Sequence, residues 1–263
     1  MKNIFITLLF WGLLAESSYC QDSLNYKSKW QIRPNYGINI PITKLLNGSI
    51  LDNLFEYGDN STYWQVLSVS YFFRRHWGVE FNFQGMTSGN ITKRADKFMD
   101  AMKSKYKSDY YVTPSTGASY DNFSLLAGNF NRGFIGLIYR YEKNRLFFYP
   151  KFSIGVSSFY TDWGKATLKR KNSNNVIEVS YDPSNIPNDH FVVATSAAFG
   201  YKLTKKIYLN MDLMASYYKT NITFTKKITD LNTAISRSEK MEYIKNVFTV
   251  SIGAGLIFLL KTY

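Results

Sequence analysis

The segment 246–260 alternates regularly between two kinds of position. Every even position from 248 on is apolar, whereas the odd positions in its middle, among them Thr249, Ser251 and Gly253, are small or polar. A period of two predicts a β-strand, and this one exceeds the roughly 5–6 residues of an ordinary strand. It suits a tilted strand that crosses a bilayer, which needs about 9–11 residues. Because unpaired backbone groups in hydrocarbon are costly, such a strand needs partners that close a barrel.

Seven further segments alternate in the same way. The predicted strands are 30–40, 63–74, 77–85, 134–141, 146–160, 191–203 and one that starts near Ile207. The fourth of these is clearest from 134 on, and a start as early as Phe123 stays open. Three short turns, at 75–76, 143–144 and 204–205, alternate strictly with four long connections between these strands. The last long connection is predicted to be a polar loop that ends near Lys245. An even strand number with this asymmetry is typical of outer-membrane barrels. The pattern therefore predicts an all-β fold, an eight-stranded antiparallel transmembrane β-barrel with long extracellular loops and short periplasmic turns.

The second long connection, 88–122, has the periodicity of an amphipathic helix. Thr92 is a candidate N-cap, and Phe98, Met99 and Met102 then share one face with Ala95 and Tyr106. This face either binds a partner or covers the mouth of the barrel. We favour the covering role.

The N-terminus has the features of a secretory signal. Lys2 precedes an apolar run at 4–14, and Ser18 and Cys20 supply small residues before a cleavage point. The run is too short to span a membrane. We predict a signal peptide at 1–20, with lipidation of Cys20 as the less favoured alternative, and a single barrel domain at 21–263 in the bacterial outer membrane.

The charge is strongly basic, with 32 Lys and Arg against 19 Asp and Glu and a formal net charge of +13. The basic residues lie mainly in connections, so nucleic acid is not expected as a partner. The run Lys169, Arg170 and Lys171 in the third long loop is the densest group. It either keeps the loop solvated, the favoured interpretation, or docks anionic lipopolysaccharide or an acidic protein partner beside the outer-membrane lipid.

Strand parity directs several charges into the barrel. The predicted lumen network consists of Arg33, Glu80, Arg140, Lys151 and Asp212. Buried charges are expensive unless they are paired, and eight strands leave room for little more than side chains. An ion path or gate is one interpretation, and an ion-paired plug is the favoured one.

Two other functions can be weighed on particular residues. Catalysis would depend on His190, which is followed by Phe191 and Val192 instead of a serine two positions on. We therefore expect no enzyme, no cofactor and no metal site. A narrow apolar channel could run along Ala198, Gly200, Gly253 and Gly255, unless side chains fill that space as expected; the candidates to fill it are Trp64, Phe147, Tyr149 and Tyr208.

From about 30 to 263 the chain resembles the small outer-membrane β-barrels of Gram-negative bacteria, of the OmpX, OmpA and OmpW types. The start at Gln21 after cleavage and the richness in Tyr, Asn and Lys are similar to those of Bacteroidota. The resemblance implies a non-enzymatic barrel that displays basic, partner-binding extracellular loops. Its alternatives are a transport barrel for a small or apolar solute and an accessory subunit of an envelope or secretion complex.

Overall fold

The computed structural model describes residues 28–43, 61–88, 91–115, 129–159, 164–184 and 188–260. These ranges hold thirteen strands and one helix, α1 (Ile91–Tyr106). The strands are β1 (Trp30–Ile32), β2 (Asn35–Pro41), β3 (Ser61–Phe72), β4 (Trp77–Ser88), β5 (Tyr110–Pro114), β6 (Asn129–Tyr139), β7 (Tyr141–Lys143), β8 (Leu146–Phe159), β9 (Gly164–Arg170), β10 (Val176–Pro183), β11 (Asn188–Lys202), β12 (Ile207–Asp230) and β13 (Ser236–Leu260). The predicted signal peptide lies outside the described residues. No described helix is both long and apolar enough to cross a membrane.

The sheet closes on itself. β13 pairs with β12 on one edge and with β1 and β2 on the other, so that Ile252 lies between Leu213 and Ile38. From there the ring runs through β3, β4, β6, β8, β11 and back to β12, all antiparallel. With β1 and β2 counted as one interrupted strand, the ring has eight members. The predicted eight-stranded barrel is confirmed.

The interruption between β1 and β2 falls at Arg33 and Pro34. A proline has no N–H to donate to a ladder, so it is tolerated at a break of this kind. Opposite the break, the register of β3 against β4 shifts between Trp64 and Leu67, which marks an irregularity of the β-bulge type. On the N-terminal side of the shift, the positions of β3 that face inward change from even to odd. Tyr63 and Gln65 are therefore buried inside, while Trp64 is exposed outside. The prediction that Trp64 fills the lumen was therefore wrong.

The outer face of the ring is an apolar belt. Phe81, Ile135 and Phe152 are each more than half exposed, and similar side chains recur on every strand of the ring. Aromatic pairs lie at the lower edge of the belt, which is the edge nearest the three short turns. The ring centroids are 4.7 Å apart for Trp30 and Tyr71 and 5.0 Å apart for Trp77 and Tyr139. Such a belt is stable against lipid and unfavourable against water. The ring therefore spans a membrane.

The predicted polar loop before Lys245 was wrong, because β12 and β13 continue as a paired hairpin to Asp230 and from Ser236. The third connection is likewise a hairpin, β9 with β10, and β10 pairs with the upper part of β12. β5 then adds to β9. We use the term cap for β5, β9, β10 and α1 together with the part of β12 after residue 218 and the part of β13 before residue 246.

Helix α1 packs against the strands of the cap. Phe98, Met99 and Met102 are buried in one cluster with Leu168 and Tyr181, and the rings of Phe98 and Tyr181 meet edge to face at 6.3 Å. The same cluster continues into the upper lumen. The apolar face of the helix is therefore buried within the protein, in the cluster that leads into the barrel.

Candidate functional site

Four charged side chains meet in the lower lumen. Arg33 donates to the Glu80 carboxylate and has its Nε 3.8 Å from Asp212 Oδ2. Lys151 Nζ lies 3.2 Å from Glu80 Oε1 and 3.4 Å from Asp212 Oδ2. All four side chains are at most 7% exposed. Two cations therefore balance two carboxylates in a neutral cluster, which we call the lumen quartet.

Polar neighbours complete the lumen quartet. Ser70 Oγ donates to Glu80 Oε2 at 2.9 Å, and Asn35 Nδ2 donates to Asp212 Oδ2 at 3.2 Å. Gln65 Nε2 donates to the Arg33 backbone carbonyl at 2.9 Å, beside the break in the first strand. Strict alternation along β3 places Gln65 outside, so it is absent from the predicted network. Hydrogen bonds to the ionised groups stabilise a buried ion cluster of this kind.

Arg140 corrects the predicted network, because it lies apart from the lumen quartet at the lower end of the barrel. Its Nε and Nη2 donate to the Arg75 carbonyl at 3.1 and 3.0 Å, and its Nη1 donates to the Ser28 carbonyl at 3.0 Å. Its guanidinium also lies 3.9 Å from the centre of the Phe72 ring. The side chain points inward as predicted, but it donates to backbone carbonyls at the strand ends and not to Glu80 or Asp212.

Side chains fill the lumen below the quartet and at its level. The lower layer contains Phe72, Ile138, Phe147, Tyr149, Ala198, Tyr208 and Ile257. At the level of the quartet, where Gly253 pairs with Asp212, a Cβ added to Gly253 would lie 2.0 Å from the Tyr63 hydroxyl, and one added to Gly255 would lie 2.1 Å from Asn35 Oδ1. Gly253 and Gly255, two of the residues that suggested a narrow channel, therefore accommodate Tyr63 and Asn35.

A third buried guanidinium, that of Arg132, lies higher in the lumen. Its Nη1 is 3.4 Å from both Asn39 Oδ1 and Ser216 Oγ, and its guanidinium is 5.8 Å from the centre of the Tyr218 ring. The predicted strand is clearest from 134 on, and Arg132 is absent from the predicted lumen network. Extending the alternation of β6 by two residues would have placed it inside.

His190 points inward at the outer end of β11, as its parity predicted. Its Nε2 lies 3.4 Å from Thr220 Oγ1, and its ring stacks on Tyr218 at 6.0 Å. Its cross-strand neighbour is Ser157. Within the described residues, no group of three His, Cys, Asp or Glu side chains could hold a metal ion.

The predicted basic patch lies at the far end of the cap. Lys169, Arg170 and Lys171 are exposed where β9 turns into β10. Lys171 Nζ donates to the Lys107 carbonyl at 2.7 Å, and the Lys171 amide donates to the Asp109 carbonyl at 3.0 Å. These bonds join the run to the basic end of α1, which carries Lys103 and Lys105. We call Lys103, Lys105, Lys107, Lys169, Arg170 and Lys171 the cap patch.

A carboxylate fastens the strands below the cap patch. Glu178 on β10 accepts hydrogen bonds from Ser115 and from Lys165 Nζ, the latter at 2.9 Å. Burial on its own would raise the pKa of Glu178, but these hydrogen bonds and the nearby positive charge outweigh it and lower that pKa below its ordinary value. Glu178 is therefore a charged link between β9, β10 and the residue that follows β5.

No protein-family model matches the sequence, and a search of curated proteins gives no match. Among solved structures, a major outer membrane protein from Thermus thermophilus aligns with a TM-score of 0.40 and 11% identity, over 88% of this chain and 98% of its own. The outer membrane protein OprG from Pseudomonas aeruginosa aligns with a TM-score of 0.36 and 14% identity, over 91% of this chain and 100% of its own. The outer membrane protease OmpT from Escherichia coli aligns with a TM-score of 0.35 and 10% identity, over 93% of this chain and 100% of its own. Similarity at this level transfers no activity to the chain.

The class of the protein follows from its own geometry. Backbone groups can cross a membrane in strands only if the sheet closes, and this sheet closes. The exposed apolar belt, the eight-membered ring and the three short turns on one side are those of a bacterial outer-membrane barrel. The chain is therefore an outer-membrane β-barrel protein. In the orientation typical of such barrels, the cap lies on the outside and the short turns lie in the periplasm.

Proposed function

We propose that this protein is a non-enzymatic, non-conducting outer-membrane barrel whose cap binds an anionic partner at the cell surface. The observation that carries the proposal is the cap patch, in which six exposed basic residues from two separate connections are held together by the Lys171 bonds to Lys107 and Asp109. Exposed lysines contribute little to folding. A folded scaffold that brings them together is consistent with recognition of negative charge.

The position of the cap patch favours a partner that extends outward from the membrane. Tyr217 is exposed near the outer edge of the belt, and the same strand continues to Asp230 beside the turn that follows Arg170. At about 3.3 Å per residue, this is roughly 40 Å of strand. Lipid headgroup phosphates lie closer to the belt. The first candidate is therefore the sugar portion of lipopolysaccharide, which carries phosphate and carboxylate groups, and the second is an acidic protein.

Charge reversal tests the proposal. The variant Lys169→Glu, Arg170→Glu, Lys171→Glu should bind full-length lipopolysaccharide less tightly than the wild type at low salt, with the difference fading as salt rises. The melting temperature of the barrel should change little, since all three side chains are exposed and only one surface hydrogen bond, from Lys171 Nζ to the Lys107 carbonyl, is lost. The measurement is binding to lipopolysaccharide aggregates and, in parallel, to lipid A alone.

The matched control keeps the charge and changes the chemistry. Lys169→Arg with Lys171→Arg should bind as the wild type does. Binding that depends on the cap patch with full-length lipopolysaccharide and not with lipid A supports the sugar portion as ligand. If the reversed and wild-type proteins bind equally to lipopolysaccharide and to acidic surface proteins, the cap patch is only a solvated surface.

The two alternative functions have less support in the structure. A transport barrel needs a path, and the space beside Gly253 and Gly255 is taken by Tyr63 and Asn35. An accessory role in an envelope complex requires a stable protein partner, and a stoichiometric partner recovered from outer membranes would favour it.

A further inference from the structure

The periplasmic end of the barrel carries a second concentration of positive charge, on the opposite side from the cap. Each short turn contributes a pair of basic residues: Arg74 and Arg75, Lys143 and Arg145, Lys205 and Lys206. All six residues are exposed. The turns 73–76, 140–145 and 203–206 contain one acidic residue, Glu142, whose side chain is 2% exposed and pairs with Lys202 at 2.7 Å.

The three turns form one continuous rim. The Arg140 amide donates to the His76 carbonyl at 2.7 Å, which joins the first turn to the second. The Lys202 amide donates to the Arg145 carbonyl at 2.8 Å, which joins the second to the third. The six basic residues therefore lie along one hydrogen-bonded edge, and we call them the periplasmic ring.

The periplasmic ring lies at the lipid surface. An exposed apolar residue accompanies each basic pair: Phe73, Leu146 and Leu203 are 49%, 64% and 53% exposed. Arg145 Nη1 donates to the hydroxyl of Tyr201 at 2.9 Å, and Tyr201 belongs to the outer face of the barrel. Apolar and aromatic side chains beside basic ones are typical of residues at the level of lipid headgroups.

We propose that the periplasmic ring is a binding site for anionic phospholipid headgroups of the inner leaflet. The exposed apolar residues would enter the acyl region while the guanidinium and ammonium groups contact headgroup phosphates. Basic residues near a membrane surface attract anionic lipid strongly enough to change affinity by about fivefold each. A site facing peptidoglycan would instead direct its charges away from the belt, without apolar residues at the same level.

The test measures which lipid the purified protein retains. Wild-type protein in a neutral detergent is incubated with equal amounts of phosphatidylglycerol and phosphatidylcholine, re-isolated, and its bound lipids are quantified at low and at high salt. Phosphatidylglycerol should predominate at low salt, and the preference should fall as salt rises. This salt series decides the matter for the wild type even if a variant does not fold.

Variants then locate the site. Lys205→Gln with Lys206→Gln, and separately Arg74→Gln with Arg75→Gln, should each lower the preference by about fivefold per charge removed. Lys205→Arg with Lys206→Arg should preserve it, as should Lys169→Gln, Arg170→Gln, Lys171→Gln in the cap patch. Equal retention of the two lipids by the wild type would overturn the proposal. A preference lost only in the cap variant would do so as well.

Peptidoglycan is the competing ligand. If the wild type shows no lipid preference but sediments with purified sacculi, and the variants of the periplasmic ring do not, the ring is a peptidoglycan contact and the proposal is wrong. Lipid preference without sedimentation supports it.

Discussion

Glu80 and Asp212 keep the lumen electrically neutral. Each carboxylate lies near both Arg33 and Lys151, so neither cation depends on a single partner. Taking four charges out of water costs free energy that only close pairing and further hydrogen bonds can offset. The quartet is therefore stable as a set and sensitive to the loss of any one member.

Glu80→Ala should destabilise the barrel by roughly 3–5 kcal/mol, because one buried positive charge then lacks its counter-charge. Asp212→Ala should act in the same direction. The measurement is equilibrium unfolding by urea in lipid vesicles, monitored by tryptophan fluorescence and by gel mobility without heating.

A double variant provides the control for charge. Lys151→Met removes a cation, so Glu80→Ala combined with Lys151→Met leaves one positive and one negative charge in the lumen quartet. The combined loss of stability should be clearly smaller than the sum of the two single losses. Strictly additive losses would show that the quartet is not a coupled unit.

At the scale of the strand, the alternation of β13 assigns neighbouring residues to different surroundings. Ile252 is 42% exposed on the belt, whereas Ser251 is buried and donates to Asn39 Oδ1 at 2.8 Å. Farther up the same strand, Ile244 is 54% exposed in the cap. The same strand thus carries two exposed isoleucines, Ile252 facing lipid and Ile244 facing water.

Ile252→Arg should cost roughly 2–4 kcal/mol, the expected cost of a charge on the lipid face near the middle of the bilayer. Ile244→Arg should cost much less, since the cap projects into water. Ser251→Arg should also be unfavourable, because the lumen has no room for it. Unfolding free energies in vesicles provide the comparison, and equal costs at Ile252 and Ile244 would contradict the assigned position of the membrane.

The strands of the cap should respond to acid through Glu178. A carboxylate whose pKa is lowered by folding contributes stability above its unfolded pKa of about 4.3 and loses that contribution as pH falls through the lowered value. Glu178→Gln should therefore reduce the hydrogen-exchange protection of β5 and β10 at neutral pH, by about 1 kcal/mol. Wild type and variant should converge at acidic pH.

Glu239→Gln is the matched control, since Glu239 is an exposed carboxylate on β13 of the same cap. It should leave the protection of β5 and β10 unchanged at every pH. A difference between wild type and Glu178→Gln that persisted in acid would show that the link depends on shape and not on charge.

Alternation predicted the ring well because lipid imposes a period of two on every crossing strand. It failed where local geometry broke that period: the irregularity in β3 exchanged the faces of Tyr63 and Trp64. Alternation also failed to predict the strands outside the membrane, where the sequence is polar. There Thr225 pairs with a residue of β10 and Glu239 with a residue of β12, so neighbouring strands supply the hydrogen-bonding partners. Parity fixes the direction of a side chain and not its height along the barrel axis. Alternation alone therefore does not separate Arg140 from the lumen quartet.

At the scale of the whole molecule, charge is distributed in three zones. The cap patch and the periplasmic ring are basic and exposed, while the lumen quartet between them is neutral and buried. Apolar layers separate the quartet from both ends. This arrangement favours functions at the two surfaces of the barrel over passage through it.

Conductance across a planar bilayer tests that account most directly. Wild-type protein, reconstituted and shown to be folded by its mobility on unheated gels, should show no steady channels beyond rare, small openings. Glu80→Ala, where it folds, should open more often because the quartet is then incomplete. Robust, steady conductance by the wild type would contradict a filled lumen and would favour a transport barrel instead.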